Sequence, residues 1–252
     1  METLSAALAS LFAGAIDAIV GGGGLILVPA LFLTFPAAPA PALLGTNKLA
    51  AIAGTAVSAA RFARAIKFDW PALLPAMALA AVGAFAGAWT LTVVDSGALR
   101  KALPFILVLL LAYTWFNKAL GVEAGPMADL PRRRWILSLS GLVVGFYDGF
   151  FGPGTGSFFI FAMVRFLRFD FLNASAHAKL LNLATNGAAL ALLSYRGAIW
   201  WQVGAVLAVT NVVGSLIGSA LALRLGPTFV RRVFLVVVLA LIARTGYSAY
   251  LA

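Results

Sequence analysis

Two stretches of the chain, Pro71 to Val94 and Gly197 to Leu223, contain no charged residue. Each exceeds the roughly 20 apolar residues that carry a helix across the hydrocarbon core of a bilayer. The composition agrees, with 63% hydrophobic and 10% charged residues against roughly 45–50% and 25% in soluble domains. The chain therefore reads as an all-α polytopic membrane protein with the lipid bilayer as its solvent. In that setting the net charge of +10 is the Lys and Arg surplus of cytoplasmic loops and implies no nucleic acid. Without cysteine there are no disulfides, no thiolate metal site and no thiol chemistry.

A shift of 131 residues lays Gly14 on Gly145, Asp17 on Asp148, Gly21 on Gly152 and Gly23 on Gly154. The register holds without a gap through Lys48 on Lys179, Trp70 on Trp201, Gly83 on Gly214, Gly87 on Gly218 and Arg100 on Arg231. Glycine matches mean little in a chain with 25 glycines, but Asp, Lys and Trp number only 6, 5 and 6. Two homologous halves are expected, residues 1–118 and 135–252, joined by a cytoplasmic linker at 119–134. Each half reads as a Gly-broken segment, 3–34 or 135–165, followed by three helices. These fall at 42–61, 71–94 and 100–118 in the first half and at 173–195, 199–223 and 231–250 in the second.

Basic stretches should face the cytoplasm, and they occur at Arg61 to Lys67, Arg132 to Arg134, Arg165 to Arg168 and Arg224 to Arg232. Eight zigzag spans cannot put all four on one side. They fit if each Gly-broken segment is a re-entrant hairpin, which leaves three full crossings per half and makes the two repeats inverted in topology. Both termini then lie outside. Transporters built from such repeats place substrate at the repeat interface near the midplane.

Irregular backbone at membrane depth is tolerated only where protein or a water-filled cavity satisfies its polar groups. Gly21-Gly22-Gly23-Gly24 and Gly152-Pro153-Gly154-Thr155-Gly156 are therefore the prime candidates for a site. Consecutive free N–H groups in such turns form concave anion-binding nests, and glycine permits the positive φ they need. The plainer reading is that these glycines only allow a tight turn. For Gly83, Gly87, Gly214 and Gly218, spaced four apart, close helix packing is the better account. A methyl at Gly87 should then merely loosen packing, whereas a side chain at Gly22 or Gly154 should displace a positive-φ backbone.

Charged side chains inside spans cost about 2.5–3.5 kcal/mol and default to function. Lys48 lies 13 residues before Arg61 and Lys179 lies 17 before Arg196, roughly 20 and 26 Å along a helix. Two inverted halves would bring both lysines toward a shared axis, as cationic partners for a small anion, unless they snorkel to an interface. Asn182 and Asn186 share a helical face with Lys179. Asp17 and Asp148 are the only carboxylates within apolar segments. Two roles stay open for each: a proton carrier, or a brace that accepts the N–H groups of the glycine turn. His177, the sole histidine, is either a proton relay or a packed side chain. It is offset by about 200° from Lys179 on a helix.

The strings Gly14-Ala15-Ile16-Asp17-Ala18-Ile19-Val20-Gly21-Gly22-Gly23-Gly24, Gly45-Thr46-Asn47-Lys48 and Gly145-Phe146-Tyr147-Asp148-Gly149-Phe150-Phe151-Gly152-Pro153-Gly154-Thr155-Gly156 resemble the sulfite exporter TauE/SafE family. The resemblance covers essentially the whole chain. It implies a carrier of the prokaryotic inner membrane for small sulfur-containing anions such as sulfite, thiosulfate or organosulfonates. Gly22, Gly23, Gly24, Thr46, Asn47, Lys48, Gly154, Thr155, Gly156, Lys179, Asn182 and Asn186 are accordingly the expected substrate-binding set. Asp17, Asp148 and His177 are the candidates for proton coupling or hairpin bracing.

The leading reading is thus a secondary transporter, not an enzyme, with no metal and no cofactor. No Gly-x-x-x-x-Gly-Lys-Ser/Thr loop occurs, so ATP is not expected to drive it, and an ion gradient remains. An anion channel is the nearest alternative. A phosphatase-type intramembrane enzyme would need clustered carboxylates, and this chain has one Asp per hairpin. A purely structural membrane partner would have no use for two Gly-broken polar centres.

Overall fold

The computed structural model describes residues 2–93, 124–126 and 129–250. The helix expected at 100–118 and most of the linker expected at 119–134 lie outside the described residues. What is described is helical throughout. Helix α1 (Glu2–Val20) leads through the glycine turn to α2 (Gly24–Thr34), then α3 (Ala40–Ala63) and α4 (Trp70–Leu91). After the undescribed residues come α5 (Leu130–Phe150), a second glycine turn, α6 (Thr155–Leu167), α7 (Phe171–Tyr195) and α8 (Trp201–Tyr250).

Local chemistry sets these boundaries. Pro41, Pro71 and Pro131 occupy the first turns of α3, α4 and α5, where a missing N–H costs nothing. Asp170 caps α7 by accepting the Asn173 backbone N–H at 2.8 Å. Helix α8 is broken once, at Gly226 (φ 73°, ψ −170°) ahead of Pro227. The two helices expected at 199–223 and 231–250 thus meet at a kink rather than across a loop.

Among the described residues, three helical stretches are both long and apolar enough to cross a membrane: Glu2–Val20, Trp70–Leu91 and Trp201–Ala240. Six full crossings outside the hairpins were expected, and α1 was expected as a hairpin limb. Helices α3, α5 and α7 have 24, 21 and 25 residues, so length does not separate them from the three. Polarity does: α3 and α7 bury Lys48 and Lys179 with several amides and hydroxyls, and α5 begins with three arginines.

Packing is inside-out relative to a soluble bundle. Helix α4 buries Ala72, Ala76, Ala80, Gly83, Ala84, Gly87 and Ala88, while Leu74, Val82, Phe85 and Trp89 point outward. With lipid as solvent, small residues bring backbones together and large ones face the acyl chains. Helix α4 packs on α5 and α1 packs on α8. A Cβ at Gly83 or Gly87 would fall against the carbonyl oxygens of Leu142 and Phe146; one at Gly214 or Gly218 would meet those of Leu11 and Ala15. These contacts map onto one another under the 131-residue shift. The expectation that a methyl at Gly87 merely loosens packing is therefore corrected, because the obstacle is a backbone atom that cannot rotate away. Helices α3 and α7 contact each other and also α8 and α4 respectively, and their polar side chains are buried.

Candidate functional site

The two glycine turns face each other. Helix α1 ends with the Gly21 N–H donating to Asp17 O at 2.8 Å, and Gly21 turns the chain at φ 71°. Helix α5 ends with the Phe151 and Gly152 N–H groups both donating to Tyr147 O, at 2.8 and 3.1 Å, and Gly152 (φ 88°) and Gly154 (φ 82°) turn the chain into α6. A Cβ on Gly21 would run into Gly156, and one on Gly156 into Gly21. The Cα of Pro153 would lie 3.4 Å from a Cβ on Gly24. Ser157 Oγ donates to Val20 O at 3.1 Å and Ser175 Oγ to Ile19 O at 2.6 Å, which ties the end of α1 to α6 and α7. Tyr147 Oη donates to Pro153 O at 2.6 Å and holds the second turn closed.

Two ion pairs flank this contact. Lys48 Nζ on α3 lies 2.7 Å from Asp148 Oδ1 on α5, and Lys179 Nζ on α7 lies 3.1 Å from Asp17 Oδ2 on α1. Lys179 also donates to the backbone carbonyl of Asp17. Both lysines are buried, so neither snorkels to an interface. Breaking such a pair by removing one partner leaves an uncompensated buried charge, so each lysine holds its carboxylate in place.

The carboxylates have further partners. Thr55 Oγ1 donates to Asp17 Oδ2 at 3.3 Å, and the Gly23 backbone N–H to Asp17 Oδ1 at 3.4 Å. Part of the amide nest expected for an anion is thus filled by the chain's own carboxylate. Thr155 Oγ1 donates to Asp148 Oδ1 at 2.8 Å, while Asp148 Oδ2 is buried with no hydrogen-bond partner. Asn182 lies against Gly156, and its Oδ1 is the other buried acceptor here without a donor.

The remaining expected residues divide. Asn47 and Asn186 are buried, on the lysine-bearing helices. Thr46 belongs elsewhere: its Oγ1 donates to Ala42 O at 2.7 Å and accepts the Trp200 N–H at 3.1 Å, joining α3 to the start of α8. Gly22 has no positive φ, and a Cβ there would meet the Val237 side chain; the strained backbone expected at Gly22 sits at Gly21. His177 touches neither turn nor either pair. Its Nδ1 bonds to Asn173 O at 2.8 Å and its Nε2 accepts the Asp69 N–H at 3.3 Å, between the rings of Phe68 and Phe169. It pins the α3–α4 connection, as its angular offset from Lys179 requires.

Gly21 and Gly152 stand in the glycine runs that are the prime candidates but not in the expected substrate-binding set, although their 131-residue match is a signal for both. The lysines and aspartates were expected as separate sets. The available signal is one lysine and one aspartate in each half, at repeat-related positions within apolar segments.

Residues 6–245 match the sulfite exporter TauE/SafE family. Similar proteins include "Probable membrane transporter protein ORF9" of Sinorhizobium sp, 34% identical over 94% of this chain and 89% of that one. A "Probable membrane transporter protein" of Haemophilus influenzae is 35% identical over 92% and 90%, and "Probable membrane transporter protein YfcA" of Escherichia coli K12 is 35% identical over 96% and 88%. No solved structure matches. Bacterial relatives and long apolar helices make this a multi-pass protein of the prokaryotic inner membrane, a transporter and not an enzyme. The chain belongs to the sulfite exporter TauE/SafE family of membrane transporters.

Proposed function

We propose that the protein is a secondary transporter, working as an exporter, for small sulfur-containing anions such as sulfite, thiosulfate or organosulfonates. Its two inverted repeats, residues 1–118 and 135–252, alternate access by rocking about their interface, each contributing a re-entrant hairpin and three transmembrane helices. The anion binds where the glycine turns meet, with Lys48 and Lys179 as its cationic partners and Thr155, Asn182 and Asn186 as neutral ones.

The observation that carries this reading is the crossed arrangement of ion pairs. Each lysine lies on one repeat and its aspartate on the other, so a motion of one repeat against the other must act on both pairs. Broken helices at membrane depth, with helix N-termini aimed at the break, are the recurring anion sites of such carriers. Helix α6 begins at Thr155 in this position.

Reconstituted vesicles loaded with labelled sulfite, thiosulfate or a short alkylsulfonate test it. Saturable efflux, inhibited by a second anion of the set, is expected. Efflux rising linearly with concentration would mean a channel, and vesicles retaining all three anions would sink the substrate class.

A further inference from the structure

The two repeat-related carboxylates are not equally satisfied. Asp17 uses both oxygens: Oδ2 for Lys179 and Thr55, Oδ1 for the Gly23 amide. Asp148 uses only Oδ1, for Lys48 at 2.7 Å and Thr155 at 2.8 Å, and its buried Oδ2 has no partner. Buried acceptors are nearly always satisfied, so Asp148 Oδ2 is an exception that asks for a proton or a donor. We propose that Asp148, rather than Asp17 or His177, is the carboxylate that takes up a proton during transport, and that its protonation releases Lys48 to hold the anion.

This rests on the anion-transporter reading above and adds the coupling ion. A proton passes from solution to Asp148 Oδ2 and neutralises the carboxylate at the oxygen that has no donor. Lys48 then loses its counter-charge, and the arriving anion restores it. Proton and anion must therefore arrive together, because an ammonium left without either partner would be a stranded ion in low dielectric. Release reverses the order, and proton and anion travel together, with export driven by the outward gradient of the anion. A metal cation in the proton's place would set a second positive charge against the Lys48 ammonium, whereas a proton neutralises the carboxylate.

The other charges around Asp148 are accounted for. Helix α3 presents Lys48, with Arg61 bound to Leu216 O at its far end. Helix α4 carries no ionisable side chain. Helix α6 presents Thr155, with Arg165 ten residues further on, about 15 Å away along the axis. On α7, Lys179 is held by Asp17 and His177 by Asn173 and Asp69, and Tyr195 is exposed at the opposite end. On α5 itself, Tyr147 is bound to Pro153 O, and the three arginines stand at the helix start.

Infrared difference spectra of the purified full chain, taken across a pH series with and without thiosulfate, read protonated carboxyls. The expected result is a carboxyl band in the wild type and in Asp17→Asn that is missing from Asp148→Asn, and that thiosulfate moves to higher pH. A band retained by folded Asp148→Asn, or lost from folded Asp17→Asn, would overturn the proposal. Should Asp148→Asn fail to fold, Asp148→Glu must shift the frequency of the band, and an unchanged frequency overturns it equally. In calorimetry, thiosulfate affinity should fall about tenfold per pH unit on the alkaline side and become independent of pH in Asp148→Asn. Affinity that follows sodium at fixed pH, and not pH, would replace the proton with a cation. If thiosulfate binds at no pH, the substrate assignment fails, while the band still decides Asp148.

Discussion

Lys48 on α3 and Asp148 on α5 stand 2.7 Å apart, and moving each by 131 residues in opposite senses gives Lys179 and Asp17, 3.1 Å apart. One sequence duplication has thus produced two ion pairs, each joining segments that the duplication separates. Their burial makes them structural whatever else they do.

Removing one partner of such a pair costs about 3–5 kcal/mol. Lys48→Met and Lys179→Met are each expected to destabilise the protein by that order. The double variant Lys179→Met/Asp17→Asn should recover more than half of the loss, since it removes the stranded charge. Thermal unfolding in detergent measures this. A double variant as unstable as the single would show that the charge is not what the pair holds.

Glycines of similar spacing should differ sharply. At Gly87 an added Cβ meets the Phe146 carbonyl oxygen, whereas at Gly187 its nearest neighbour would be Ile52 Cδ1 at 3.7 Å, an ordinary contact. Gly87→Ala should cost about 1–3 kcal/mol as overpacking. Gly187→Ala should gain up to about 1 kcal/mol from helix propensity. Paired melting curves decide between this and uniform tolerance.

Positive φ separates the turn residues. In Gly21→Ala the methyl strikes the Gly156 backbone, and folded protein should not accumulate. In Gly152→Ala it comes 3.2 Å from the Asp148 carbonyl oxygen and 3.3 Å from Lys48 Nζ, tight contacts but short of the overlap at Gly21, so the variant should fold with a cost of about 1–2 kcal/mol for the left-handed backbone and lose transport. Gly22→Val meets only side chains and should be the mildest of the three. Size-exclusion profiles followed by vesicle flux give the ranking.

Topology is accessible because the chain has no cysteine. Arg64→Cys and Arg196→Cys should label from opposite faces of the membrane, with Arg64 on the cytoplasmic side. Labelling of both from one face would reject the inverted arrangement.

The membrane class and the existence of both turns are legible in the sequence because apolar length and runs of backbone breakers are local properties. The partners of the charges are not. Whether Lys179 meets Asp17, lipid or substrate depends on how segments 162 residues apart pack. Within the first glycine run, Gly21 and not Gly22 takes the left-handed conformation because the last hydrogen bond of α1 closes onto Asp17 O, a detail of one helical turn that four identical letters conceal. Likewise, the spacing of Gly83 and Gly87 announces close packing but not that the facing atoms are carbonyl oxygens. His177 looked chemically privileged for its rarity alone, and its neighbours turn out to be two phenyl rings and two backbone groups.

Gly21 and Gly156 meet with no side chain on either surface, and this has a genetic corollary. A crowded contact is ordinarily relieved by a second-site change, because the opposite residue can be trimmed to make room. Here neither residue has anything left to trim. A methyl gained at position 21 cannot be suppressed by any of the other nineteen residue types at position 156, nor the reverse, so the two positions are locked to glycine independently. Rescue of either lesion must come from backbone displacement elsewhere in α1 or α6.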